Sequence, residues 1–198
     1  LDSYRKTRED KLQGTLEYVD PNHLVAGICK ELKNTGIYVA DVGQNQIYSC
    51  SNYVSGSGRF LTSGGMGTMG YSIPASIGAS IAAPKETVAC VLGDGGAQMS
   101  MAELADISLF QRNIKILLMN NRKLGMIREY QHYHFDNRYA MVDLSEVPEY
   151  SHIAQAYGIP YIKITRDEEC TEKLKEVFRT KGPVFCEADI DPDAFTAN

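Results

Sequence analysis

Two short apolar runs, Thr87–Leu92 and Ile114–Met119, read as buried strands, and one helix-length of chain separates them. Over 98–111, Met101, Leu104, Ala105 and Leu109 supply an apolar face, with Glu103, Gln111 and Arg112 left for solvent. Strand, helix, strand at this length is a parallel crossover unit, almost always right-handed. The same alternation runs along the rest of the chain. Asp20-Pro21 is a cap followed by an N1 proline, ahead of the stripe Leu24, Val25, Ile28 and Leu32 and a stop at Asn34 to Gly36. Ile37–Ala40 is a strand, Phe60–Thr62 another, and a helix rich in small residues follows over Tyr71–Ala83. An aromatic stretch occupies Tyr130–Tyr139, and Pro148 precedes a short helix ending near Gly158. Then come a strand at Tyr161–Ile164, a helix at Glu168–Thr180 with Asp167, Glu168 and Glu169 at its start, and a last strand at Val184–Ala188. The expected fold is α/β: a doubly wound, mainly parallel sheet of about six strands with helices on both faces. Residues 1–19 read as a linker or arm, 20–190 as the domain and 191–198 as a tail.

Composition narrows the function classes. A net charge of −5 over 198 residues argues against a nucleic-acid or membrane-surface partner. No apolar stretch is long enough to span a bilayer and no signal peptide is read, so a cytoplasmic location is expected. The five cysteines are odd in number and lack C-x-x-C pairing, as reduced core residues would. The first residue is Leu1 rather than Met, consistent with a piece of a longer polypeptide.

Chemistry concentrates where the two central strands end. The first closes on Gly93-Asp94-Gly95 and the second on Asn120-Asn121. In a parallel unit both ends open onto the same edge, where open sheets place their ligands. Asp94 and Asn121 offer hard oxygen donors of the kind Mg²⁺ prefers, and such sites leave positions for phosphates. Gly95, Gly96 and Ala97 lead into a helix, whose first N–H groups favour anions. A magnesium-bound diphosphate satisfies both halves. A lone Gly-Asp-Gly is otherwise a tight turn, and a dinucleotide fingerprint fails on the glycine spacing. His132-x-His134 with Asp136 lacks further ligands nearby for zinc and reads as structural or pocket-lining. Ser63–Gly70 holds four glycines, with Met66 and Met69 arguing against a solvated turn.

Gly-Asp-Gly followed by Asn-Asn at this interval resembles the cofactor motif of thiamine-diphosphate enzymes. Thr62–Gly78, Asp41–Gln46 and Asn121–Gln131 are similar to segments of the acetolactate synthase large-subunit family, and the likeness runs from about Asp20 to Ala188. The resemblance implies metal ligands at Asp94, Asn121 and the Lys123 carbonyl. It implies cofactor contacts at Gly43, Gln44, Asn45, Gly93 and the residues after it, with Gln44 and Asn45 as diphosphate donors. The Gly67 carbonyl and Met69 N–H would bond the pyrimidine. The Met69 side chain would bend the cofactor so that its amino group nears the thiazolium carbon. Gly125, Met126 and Ile127 would sit near thiazolium and substrate, with Tyr130 over the substrate pocket. The family usually has His where Asn45 stands and Trp where Tyr130 stands.

The function implied is decarboxylation of pyruvate and carboligation to a second 2-oxo acid, in branched-chain amino-acid biosynthesis. Cofactors would be thiamine diphosphate and Mg²⁺, with FAD on another domain of a full-length enzyme. Partners would be a pyrimidine-binding domain on the same or another chain, a homodimeric mate and a regulatory small subunit. The activating Glu of such enzymes lies on the pyrimidine-binding domain, and no matching segment is read here, so the chain alone is expected to be inactive. The alternatives are a subunit of a sulfopyruvate-type decarboxylase and a non-catalytic cofactor-holding module.

Overall fold

The computed structural model describes residues 17–196 apart from 34, 55, 57, 147 and 148. Residues 1–16 of the expected arm, the Asn34 stop, Pro148 and the last two tail residues lie outside the described residues. Six parallel strands form a sheet: β1 Ile37–Ala40, β2 Arg59–Thr62, β3 Val88–Gly93, β4 Ile114–Asn120, β5 Tyr161–Ile164 and β6 Val184–Asp189, in the order β2-β1-β3-β4-β6-β5. The helices are α1 Pro21–Glu31, α2 Gln44–Asn52, α3 Ser72–Ala82, α4 Asp94–Ser100, α5 Leu104–Phe110, α6 Gly125–His134, α7 Tyr150–Ala156 and α8 Cys170–Arg179.

Successive strand residues point to opposite faces, and both faces are covered, so the central strands are mostly apolar. Tyr38, Ala40, Val91, Leu117 and Cys186 pack under α1, α2 and α8. Ile37, Val39, Cys90, Leu118 and Phe185 pack under α3, α4, α5 and α7. The doubly wound α/β arrangement is as the alternation of runs implied. α1 starts as its cap requires, with Asn22 N–H donating to Asp20 Oδ1 at 2.7 Å. Of the five cysteines, all free, four are buried and Cys50 is exposed.

Four details depart from the pattern reading. The helix expected over 98–111 is broken by a 3₁₀ turn at Met101–Glu103. That tighter turn shifts the phase of the apolar face, so Leu104 and Ile107 point inward while Ala105 is exposed and Leu109 is 74% exposed. α2 is absent from the pattern reading, because it buries Gln44, Asn45 and Ser49 beside one aromatic, Tyr48. Val19, assigned to the arm, is buried, and its N–H donates to Asp189 O at 2.9 Å. In the tail, the Phe195 ring lies against His132 of α6, and Asp193 pairs with Arg128 at 2.7 Å.

Lys115, the second residue of β4, is fully buried. Its stem lies in the core, and its ammonium donates to Thr180 O at 2.5 Å and Gly182 O at 2.7 Å, just past the end of α8. It therefore satisfies two carbonyls of the turn that follows the helix C-terminus, where a cation is favoured. Lys115→Met keeps the volume and strands both carbonyls. It should cost about 2 kcal/mol and lower Tm by roughly 4–8 °C in a thermal melt. An unchanged Tm would show that those carbonyls find other partners.

Candidate functional site

β1 hands the chain to α2 on one face of the sheet, and its neighbour β3 hands it to α4 on the other. The two loops diverge, which opens a crevice at the carboxyl ends of the strands. A cleft of about 540 Å³ lies there. Gly43, Gln44 and Asn45 wall it on the β1 side, and Gly93 to Gly96 on the β3 side. Gly67 and Met69 come from the glycine loop, and Asn121 and Lys123 to Ile127 from the segment after β4.

Two buried carboxylates stand at the ends of the strands there. Asp41, at the end of β1, is fully buried and fully satisfied. Its Oδ1 accepts from Val42 N–H (2.8 Å) and Gly70 N–H (2.9 Å), and its Oδ2 from Ser72 N–H (2.8 Å). It thus ties the end of the glycine loop and the first turn of α3 to the sheet. It also explains Gly96, where any Cβ would come within 2.8 Å of Asp41 Oδ1.

Asp94, the first residue of α4, is 2% exposed. Oδ1 accepts from Gly95 N–H at 2.9 Å, and buried Oδ2 has no hydrogen-bond partner. Burial pushes its carboxyl up to about 7, and the amides of Gly95, Arg122 and Lys123 hold it back from rising further. Beside it, Asn121 is oriented through a chain of amides. Gln44 Nε2 donates to the buried Glu129 (3.0 Å) and to Ala194 O (3.1 Å). That turns Gln44 Oε1 towards Asn121 Nδ2 (3.0 Å), and Asn121 Oδ1 accepts from Lys123 N–H (3.1 Å). Gly125 must lack a side chain, since a Cβ there would fall 2.0 Å from Gln44 Oε1.

Residues 41–188 match the family described as thiamine pyrophosphate enzyme, C-terminal TPP binding domain. The chain belongs to this family. It is 36% identical over 157 residues to an acetolactate synthase of Arthrospira platensis, covering 79% of this chain and 27% of that protein. It is 40% identical over 166 residues to a probable acetolactate synthase large subunit of Methanocaldococcus jannaschii (83% and 28%). Against the acetolactate synthase isozyme 2 large subunit of Escherichia coli, identity is 35% over 156 residues (78% and 28%). The chain spans little more than a quarter of the length of these curated relatives.

The residues of this TPP-binding domain fit a diphosphate carried by a divalent cation. Asp94 Oδ2 is an orphaned carboxyl oxygen, Asn121 Oδ1 and the Lys123 carbonyl are further hard donors, and the wall at Gly93–Gly96 has no side chain but that of Asp94. Nearly all of the residues singled out from sequence line the cleft. Ala97 does not: it is 3% exposed and packs into the α3–α7 face. Tyr130 does not either, being 56% exposed on α6 against His134 and Phe135. Met126 and Ile127 line the cleft. Met66 is 91% exposed, so of the two loop methionines only Met69 turns inward, with its methyl 3.5 Å from where a side chain on Gly95 would begin. Gln44 and Asn45 are placed at the cleft, but their amide donors are committed, Asn45 Nδ2 to Asp41 O at 2.8 Å. In this conformation they shape the wall rather than present side-chain donors to an anion. His132 Nδ1 meets Tyr139 OH at 2.9 Å, a structural contact. Asp41, Asn120, Glu129 and Glu187 were missed as supports. Glu187 inside an apolar run was the available signal.

Asp94 gives a testable pH dependence. Its folded value of about 7 lies above the ordinary 3.8, so the metal-free fold holds this proton more tightly than the unfolded chain does. The stabilisation is complete below about pH 4 and is lost as pH rises through about 7, amounting to about 2–3 kcal/mol between pH 5 and 7. Urea unfolding in chelator should show that loss in the wild type and not in Asp94→Asn. Parallel pH profiles for the two would contradict the burial of an unpaired carboxylate.

Proposed function

We propose that this domain binds the diphosphate of thiamine diphosphate through Mg²⁺, as part of an enzyme that acts on 2-oxo acids, most like acetolactate synthase. The observation that carries the reading is Asp94 Oδ2, buried and without a donor, beside Asn121 in a glycine-walled cleft. A cation there would give Asp94 the partner it lacks, and the ionised carboxylate would then be the stable form. Asp94, Asn121 Oδ1 and the Lys123 carbonyl would hold the cation. Gly67 and Met69 would hold the pyrimidine end, with Met69 filling the space beneath the bend. When bound, thiamine diphosphate supplies the electron sink that decarboxylation of a 2-oxo acid and carboligation to a second one require.

What this chain contributes is placement, exclusion of water and a fixed set of oxygens. The cleft mouth carries Ile127 and the neighbouring surface Tyr130 and Met66, all exposed and apolar in part. This supports a pyrimidine-binding domain, on the same or another chain and in a homodimer, as the cover that also brings the activating Glu. Without that cover the chain is expected to bind cofactor and not to turn over.

Calorimetry tests the assignment. Thiamine diphosphate should bind only when Mg²⁺ is present, and Asp94→Ala should weaken that binding at least a hundredfold, about 2.7 kcal/mol. Equal affinity in the variant, or binding indifferent to Mg²⁺, would sink it.

A further inference from the structure

Glu187 of β6 does not line the cleft but bonds to Asn120, the first residue of the turn at 120–123. It is 1% exposed and flanked along its strand by Val184, Phe185, Cys186 and Ala188. A carboxylate in such a place costs several kcal/mol unless it is well bonded. Its oxygens accept from Asn120 Nδ2 at 2.8 Å and from Tyr161 OH at 2.6 Å, with Lys163 Nζ 3.7 Å away.

The bond to Asn120 has a directional consequence. An amide side chain has a donor end and an acceptor end, and an ionised carboxylate can only accept. Glu187 therefore fixes Asn120 with Nδ2 inward, and Oδ1 is left to accept from Arg122 N–H at 3.1 Å. A flipped Asn120 would set two donors against each other. Arg122 needs that hold, because its φ is +55°, a left-handed conformation that costs a non-glycine residue about 1 kcal/mol or more. With Arg122 so turned, Asn121 Oδ1 meets Lys123 N–H at 3.1 Å. Both residues implicated in holding a cation after β4 thus take their positions from a turn pinned through Asn120.

We propose that Glu187, acting through Asn120, is a positioning residue that presets the turn presenting Asn121 and the Lys123 carbonyl to a divalent cation. The proposal rests on the magnesium–diphosphate reading of the cleft. It assigns a task to a buried acid that touches neither cofactor nor substrate.

The test uses the full chain and a titration of Mg²⁺ at fixed thiamine diphosphate. Glu187→Met fills the volume without an acceptor, Glu187→Gln keeps one, and Asn120→Ala removes the intermediary. The half-saturating Mg²⁺ concentration should rise about tenfold in Glu187→Met and Asn120→Ala and stay within about threefold in Glu187→Gln, as expected when a group supporting metal ligands is lost or kept. Loss of stability alone would lower Tm and leave the Mg²⁺ requirement of the folded protein where it was. Wild-type half-saturation in folded Glu187→Met and Asn120→Ala overturns the positioning role, and Asn120→Ala decides if Glu187→Met does not fold. Asp94→Ala is the control. If the wild type itself binds no cofactor with Mg²⁺, the reading of the cleft falls and this proposal with it. If the wild type binds and only Asp94→Ala fails, the cleft reading stands and the role of Glu187 does not.

Discussion

Asp94 is a carboxylate taken almost wholly out of water, with one oxygen bonded and the other without a hydrogen-bond partner. A group in that state is unstable as an anion, and the protein tolerates it at the meeting point of four chain segments. Asp41, at the end of the adjacent strand, shows that the fold can satisfy a buried acid at this edge, with three backbone N–H groups. The contrast between the two is the constraint around which the site is arranged. Asp41 holds the glycine loop and α3 in place, and α4 can pass close to it only because Gly96 has no side chain. Asp94 is left with a capacity that the protein itself does not fill.

The surrounding polar groups are committed in one direction. Glu129 and Ala194 O take the donor end of Gln44, which turns its acceptor end to Asn121. Glu187 takes the donor end of Asn120, which turns its acceptor end to Arg122. Buried polar networks specify geometry when every member has a partner. Here two such networks converge on one turn, and Arg122 carries backbone strain within it. Local rules broken at one edge of an otherwise regular sheet are what a binding site looks like in physical terms.

Much of this was legible in the chain. The strands at Ile37–Ala40 and Tyr161–Ile164 matched their apolar runs, and β3, β4 and β6 ended within a residue of theirs, because a sheet covered on both faces demands such runs. Asp94 and Asn121 could be brought together from the crossover rule alone. The failures share a cause, namely that side-chain polarity was taken as a guide to burial. α2 buries glutamine, asparagine and serine, so it carried no apolar stripe to find. Met66 and Leu109 are apolar and exposed, Tyr130 faces outward, and Lys115 and Glu187 are charged and buried. The supports of the site depend on which end of an amide faces which neighbour, and no pattern of residue types records that.

The most direct test of the central claim is anomalous diffraction at the manganese edge from crystals grown with Mn²⁺ and thiamine diphosphate. A single strong peak is expected within coordination distance of an Asp94 carboxylate oxygen, Asn121 Oδ1 and the Lys123 carbonyl, with Asn120 still bonded to Glu187. A peak elsewhere, or a bound diphosphate with Asp94 Oδ2 still unpartnered, would contradict it.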